Sequence, residues 1–255
     1  MLEAMEEAMA TTTATPTDSP APLPFRPLRA LRLFFAVLRA PERTDLVFAF
    51  FDAMGGDDGP AHLAALRRSA SGRRLLAQRS SLLARLADAR LAELPEATLG
   101  GAYARAMRAR GFEPDGLLGY RSRSDQALLG DADSRWLSDR INVMHDLWHV
   151  LTGYGTDPLG EAALIAFSQA QIPTRSFPVL LLGAALKGPK SWDLAWPRYL
   201  WRAYRRGRRA RLLIAAPLEE MLERPLAEVR RELRVGAPTD WHAQGILVGE
   251  LEARA

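Results

Sequence analysis

The segment SRWLSDRINVMHDLWHVLTGYGTDPLGEAALIAFSQAQ, Ser134 to Gln171, decides the fold. Ser134 to His149 has its apolar residues at the three- and four-residue spacing of a helix face. Leu159 to Gln171 resumes that spacing before Pro173. Between them, Gly153 to Pro158 holds two glycines and a proline, enough to turn the chain. Two helices joined by a tight turn are predicted. Side chains at i and i+4 lie one above the other on a helix, so His145 and His149 share a face about one turn apart. The turn lets the second helix fold back, which brings Glu161, in its first turn, towards both histidines. Asp146 stands about 100° around the helix from His145, either as a fourth ligand or as an acceptor that orients a histidine. Asp157, before Pro158, is placed to cap the second helix rather than to bind an ion.

Working outward, the same helical texture continues in both directions. FRPLRALRLFFAVLRAPERTDLVFAFFDAM (25–54) reads as two helices broken at Pro41 and closed by GGDDGP. Segments 60–76, 79–93 and 96–110 follow, punctuated by Gly72, Pro95 and Gly111, and Arg198–Ala215 and Leu218–Val235 complete the set. No period-two strand pattern and no internal repeat is present, so the expected class is all-α, a single-domain helical bundle over residues 25–255. Residues 1–24 end in TTTATPTDSPAPLP, too poor in large apolar groups to offset the entropy of ordering, and are expected to be a disordered tail.

With 255 residues, 48% of them hydrophobic, the chain can bury a substantial core. It has no cysteine, which excludes disulfides and thiolate metal sites and leaves nitrogen and oxygen as the metal donors. The longest nearly uncharged apolar run, FPVLLLGAAL (177–186), is short of the roughly 20 residues of a spanning helix. The N-terminus lacks the basic and apolar regions of a signal peptide, and Glu3, Glu6, Glu7 and Asp18 argue against a transit peptide. A cytoplasmic protein, peripheral at the inner face of a membrane, is expected.

Two imidazoles with one or two carboxylates form a borderline-to-hard donor set that suits zinc and also accepts iron or manganese. A HxxxH pair alone is more often structural. The acid beside His145 and the carboxylate beyond the turn favour an open, catalytic type of metal site over two structural histidines. Trp148 reads as core packing, Asp139 and Arg140 as a local ion pair, and the isolated His242 receives no role.

The string His145-Asp146-x-x-His149-x₁₁-Glu161 resembles the metal-binding signature of the ubiquinone-biosynthesis family often called Coq-four. LPEATLGGAYARAMRARGF (94–112) is similar to that family's LP-x-x-TLG-x-xY segment, and PLEEMLERPLAEVRRELRV (217–235) to its C-terminal helix. The likeness spans residues 40–236. It implies an all-helical protein that binds a divalent metal, usually discussed as zinc, through His145, Asp146, His149 and Glu161. It also implies a place in coenzyme Q synthesis, with other ubiquinone-biosynthesis proteins and a prenylated 4-hydroxybenzoate-derived lipid as partners. The implied reaction is oxidative removal of the ring C1 carboxylate with hydroxyl in its place. The alternative is a metal-containing, lipid-binding scaffold that presents prenylated precursors to other enzymes, and a metal-dependent hydrolase is weaker. Zinc does not itself activate dioxygen, so either the electron-rich phenolate reacts with oxygen directly or the native ion is redox-active.

A polyprenyl substrate requires a route to the bilayer. Phe25–Leu38 pairs Arg26, Arg29, Arg32 and the adjoining Arg39 with Phe34 and Phe35, the composition of an interfacial helix. RYLWRAYRRGRRARLL (198–213) carries Arg202, Arg205, Arg206, Arg208 and Arg209 among aromatics, and each cation near an anionic surface is worth about 1 kcal/mol. A plain solvated face competes with that reading. Nucleic acid is the weakest partner, since no recognition motif accompanies the arginines. A homo-oligomer is left open.

Overall fold

The computed structural model describes residues 23–56, 58–120, 131–187 and 195–236, and its regular elements are helices, with no strand among the described residues. α1 (Pro27–Arg39) begins with a proline and α2 (Thr44–Met54) with Asp45 in its first turn, both favoured where backbone N–H groups lack partners. α3 (Gly59–Arg68), α4 (Ala70–Gln78), α5 (Leu82–Leu86) and a 3₁₀ turn (Ala89–Glu93) lead to α6 (Leu99–Arg110). Thr98 caps α6 by accepting from the Gly101 N–H. After a 3₁₀ turn at Leu118–Tyr120 come α7 (Ala132–Thr152), α8 (Pro158–Gln171), α9 (Ser176–Lys187) and α10 (Ala195–Arg209). A 3₁₀ turn (Leu213–Ala215), α11 (Leu218–Met221) and α12 (Leu226–Glu232) close the described chain.

α7 is the axis of the fold. Its 21 residues start at the Asp131 cap, which accepts from the N–H groups of Asp133 and Ser134. Leu137, Val143, Met144, Leu147, Trp148 and Leu151 are buried along it, and α3, α5, α6, α8 and α12 pack around them. α8 lies along α10. A second cluster, built on Ala30, Val37, Phe50, Ala53 and Leu180, joins α1, α2 and α9. Burying these apolar faces against one another removes them from water, the main favourable term in folding. Trp148 is core, as expected, with its ring edge-on to Phe167.

Several elements depart from the sequence periodicity. The helix expected over 60–76 is two, because Ser69 is extended and its side chain caps α4 by accepting from the Gly72 N–H. The segment 79–93 holds only α5 and a 3₁₀ turn, with Arg79 left-handed at φ 46° ending α4. Leu218–Val235 is split into α11 and α12 by Pro225, whose missing N–H cannot continue a helix. Arg140 does not depend on Asp139 for its ion pair: its guanidinium is 1% exposed and grips Glu219 of α11, while donating to the carbonyls of Ile214 and Ala216 at 3.1 and 2.7 Å. Of the expected tail, residues 1–22 lie outside the described residues, but Leu23 and Pro24 do not. The Leu23 carbonyl accepts from the Gly56 N–H at 2.9 Å, which ties this segment to the end of α2. His242 and the rest of 237–255 lie outside the described residues.

Candidate metal centre

The turn between α7 and α8 sets the site. Gly153 ends α7 in the left-handed region at φ 74°, donating its N–H to the His149 carbonyl. Asp157 caps α8, as expected, by accepting from the N–H groups of Leu159 and Gly160. A Cβ on Gly160 would lie 2.1 Å from the Gly155 carbonyl oxygen, so only glycine allows the loop to close onto the first turn of α8. That closure brings Glu161 against the two histidines.

His145 Nε2 and His149 Nε2 are 3.2 Å apart. Glu161 places Oε1 at 3.2 Å from His149 Nε2 and Oε2 at 3.7 Å from His145 Nε2. A tetrahedral zinc ion with bonds of about 2.0–2.1 Å has donor-to-donor edges of about 3.3 Å, so the spacing fits a common ion. The donor set therefore fits a divalent metal with three protein ligands and an open position. Asp146, expected as a fourth ligand or an orienting acceptor, is not in the converging group, although its negative charge acts on both histidines.

His149 Nδ1 lies 3.0 Å from the Tyr154 carbonyl. A carbonyl only accepts, so Nδ1 carries the proton and, in the neutral ring, Nε2 presents its lone pair to the site. His149 is 5% exposed, whereas His145 and Glu161 keep 35% and 37%. Access is thus from their side. The electrostatics follow the same asymmetry. Burial disfavours a charged His149, but the Glu161 carboxylate, the Tyr154 carbonyl and Asp146 together outweigh it and raise the imidazole above its usual value. For His145, burial prevails and the value falls. Burial also opposes an ionised Glu161, yet His149, His145 and Arg110 together hold it below its ordinary range.

Three neighbours had no sequence signal beyond their presence in similar segments. Arg110, in the last turn of α6, donates from Nε to Thr156 Oγ1 at 3.0 Å, binding α6 to the site's turn. Tyr103 lies on the same helix, 1% exposed; burial first and then Asp146 push its phenol up. Tyr154 contributes through its backbone, which no side-chain motif reveals.

The residues expected at a lipid face divide. Phe35 is 47% exposed, but Phe34 turns inward, its ring 6.4 Å from that of Phe50. Arg202, Arg205, Arg208 and Arg209 are exposed on α10. Arg206 is not lipid-facing: it is half-buried, donates to the Thr152 carbonyl at 2.9 Å and lies over the Tyr154 ring. The α10 face that meets α8 carries Ala203 and Gly207, and Arg206 stands beside Gly207 at the margin of that contact.

The family model described as Coenzyme Q (ubiquinone) biosynthesis protein Coq4 matches residues 27–239. The chain belongs to the Coq4 family. The match covers both ligand helices and starts at α1, earlier than the motif resemblance alone reached. Among similar Coq4 proteins, the Danio rerio ubiquinone biosynthesis protein COQ4 homolog, mitochondrial, is 30% identical over 210 residues, 80% of this chain and 73% of its own. The Talaromyces stipitatus ubiquinone biosynthesis protein coq4, mitochondrial, is 31% identical over 238 residues, 90% and 79%. A crystal structure of a protein assigned to ubiquinone biosynthesis in Nostoc punctiforme PCC 73102 superposes with a TM-score of 0.59 at 26% identity, covering 84% of this chain and all of that one. The expectation of a cytoplasmic place finds no support in the two mitochondrial names. No described helix is long and apolar enough to cross a membrane.

Proposed function

We propose that this Coq4-family protein is a metal-dependent enzyme of ubiquinone synthesis, acting at ring carbon C1 of a prenylated 4-hydroxybenzoate. The carboxylate leaves as carbon dioxide and a hydroxyl from water takes its place, while dioxygen accepts the two electrons and two protons released and leaves as hydrogen peroxide. One observation carries the reading: two imidazole nitrogens and a carboxylate oxygen converge within 4.8 Å of one another, an arrangement of acceptors that a cation satisfies. His145, His149 and Glu161 would hold a divalent ion, zinc first and iron or manganese as alternatives, and it would supply a Lewis acid for the ring carboxylate. The protein's part is positional. His149 is oriented by the Tyr154 carbonyl, Glu161 is kept ionised by its neighbours, and the more open His145 and Glu161 side admits the substrate.

The membrane reading draws on α1 and α9. Leu28 and Leu31 on α1 and Leu182 and Leu186 on α9 are exposed, Leu28 by 73% and Leu186 by 76%. The two helices pack together, with Arg29, Arg32 and Arg39 exposed on α1. Apolar side chains ringed by arginine suit the boundary between headgroups and acyl chains. The same face favours the second reading, a metal-containing scaffold that presents prenylated precursors to other biosynthetic proteins.

Metal analysis and turnover of a prenylated 4-hydroxybenzoate under oxygen test the proposal. Wild type is expected to carry about one divalent ion per chain and to release carbon dioxide, while His149→Ala loses the ion and keeps its helical circular dichroism. Full metal retention by His149→Ala would sink the ligand assignment. Substrate binding with no turnover by metal-loaded wild type selects the scaffold.

A further inference from the structure

We propose that Arg206 of α10 and Arg230 of α12 are positioning residues for the metal centre, a guanidinium clamp that holds the end of α7 and through it the imidazole of His149. The metal readout of its test rests on the metal-centre reading above; the clamp itself rests on the following contacts.

The last carbonyls of a helix have no partner within it. In α7 the last four are all taken. The Gly153 N–H donates to His149 O at 2.8 Å. Arg230 donates from Nη2 to Val150 O at 2.8 Å and from Nε to Leu151 O at 2.9 Å, and Arg206 donates from Nη2 to Thr152 O at 2.9 Å. The Arg206 guanidinium also lies 5.0 Å from the centre of the Tyr154 ring, and its Nε reaches Val235 O at 3.4 Å.

Arg206 thus holds both ends of a three-residue span, Thr152 by its carbonyl and Tyr154 by its ring. The Tyr154 carbonyl is the acceptor that keeps the proton on His149 Nδ1. Losing this seat frees the carbonyl to move and His149 to rotate or change tautomer. The arrangement is costly for a mere cap. Burial first, and then the charge of Arg206, bring Arg230 down to about 10, whereas water or a C-terminal glycine commonly satisfies such carbonyls. Planar, multiply donating cations from two other helices give what a local cap does not, a fixed position for the residues beyond the helix end.

The test uses the full chain with cobalt(II) as probe, and imidazole nitrogen NMR of the metal-free protein at a pH where both histidines are neutral. Arg206→Met is expected to weaken cobalt binding by about 10–100-fold, the usual effect of losing an outer partner of a metal ligand. Its His149 signal shifts from one fixed tautomer to a mixture. Arg206→Lys, which keeps a cation, regains part of both. Wild-type cobalt affinity with an unchanged tautomer in Arg206→Met overturns the clamp. Should that variant fail to fold, Tyr154→Leu decides by the same readouts, because it removes the ring under the guanidinium and keeps the carbonyl. If wild type itself binds no cobalt, the metal-centre reading fails, and the tautomer of metal-free Arg206→Met still decides the clamp.

Discussion

Asp133, in the first turn of α7, receives Arg79 Nη2 at 2.7 Å and Arg67 Nη2 at 2.8 Å. The bond from Arg79 is the main reason its carboxyl lies below the ordinary aspartate value; burial opposes the shift, and Arg67 adds to it. An acid whose folded pKa is depressed contributes stability above its unfolded value, and that contribution disappears as pH falls through the folded value. Asp133→Asn is therefore expected to lose about 0.5–1 kcal/mol at neutral pH. The gap to wild type should begin to narrow below about pH 3.9 and close as pH falls through the lower folded value, as urea unfolding at several pH values would reveal. The Arg140–Glu219 pair belongs to a different regime, since the two side chains are 1% and 8% exposed. Arg140→Met leaves Glu219 a buried charge without its main partner, and a loss of about 3–5 kcal/mol is expected in denaturant titration. Adding Glu219→Leu should regain much of that loss; a double variant as unstable as the single one would speak against the pair as the cause.

Among the elements, the α7–turn–α8 unit is the one on which the site depends most. Gly160→Ala forces a methyl group to within 2.1 Å of the Gly155 oxygen, and the backbone on one side must move. The expected result is a loss of about 1–3 kcal/mol, as for other overpacked sites, with weakened metal binding because Glu161 is the next residue. Metal titration beside thermal unfolding measures both; intact metal affinity would mean that the turn absorbs the displacement. The helix breaks show why element boundaries were only partly legible. Thr98, Asp131 and Asp157 cap helices by bonds within three residues, a local code. The break at Ser69 interrupts no apolar period, and Pro225 lies inside a segment whose pattern runs through it.

At the scale of the molecule, the proposed membrane contact has two candidate surfaces. If α1 and α9 insert, Leu28→Asp with Leu186→Asp should abolish co-sedimentation with vesicles containing anionic lipid. Neutralising Arg202, Arg205, Arg208 and Arg209 should weaken binding by about 1 kcal/mol per cation near the surface and reduce its salt dependence. Binding that survives the leucine pair but not the arginine set would move the contact to α10. Homology extends over both surfaces, since the family match runs from residue 27 to residue 239.

The all-helical class, the shared face of His145 and His149, the capping by Asp157 and the approach of Glu161 were all settled by the sequence alone. Each depends on helix geometry or turn chemistry spanning a few residues, and such rules do not need the rest of the chain. Only the tertiary structure decided that Arg140 meets Glu219, that Arg206 turns inward while Arg205 faces water, and that the Tyr154 carbonyl orients His149. The His149 contact spans only five residues, through a backbone atom that no side-chain pattern marks, whereas the Arg140 and Arg206 contacts join helices distant in sequence. Their geometry follows from how helix faces pack, and the period of apolar residues along one helix does not encode which partner lies across it.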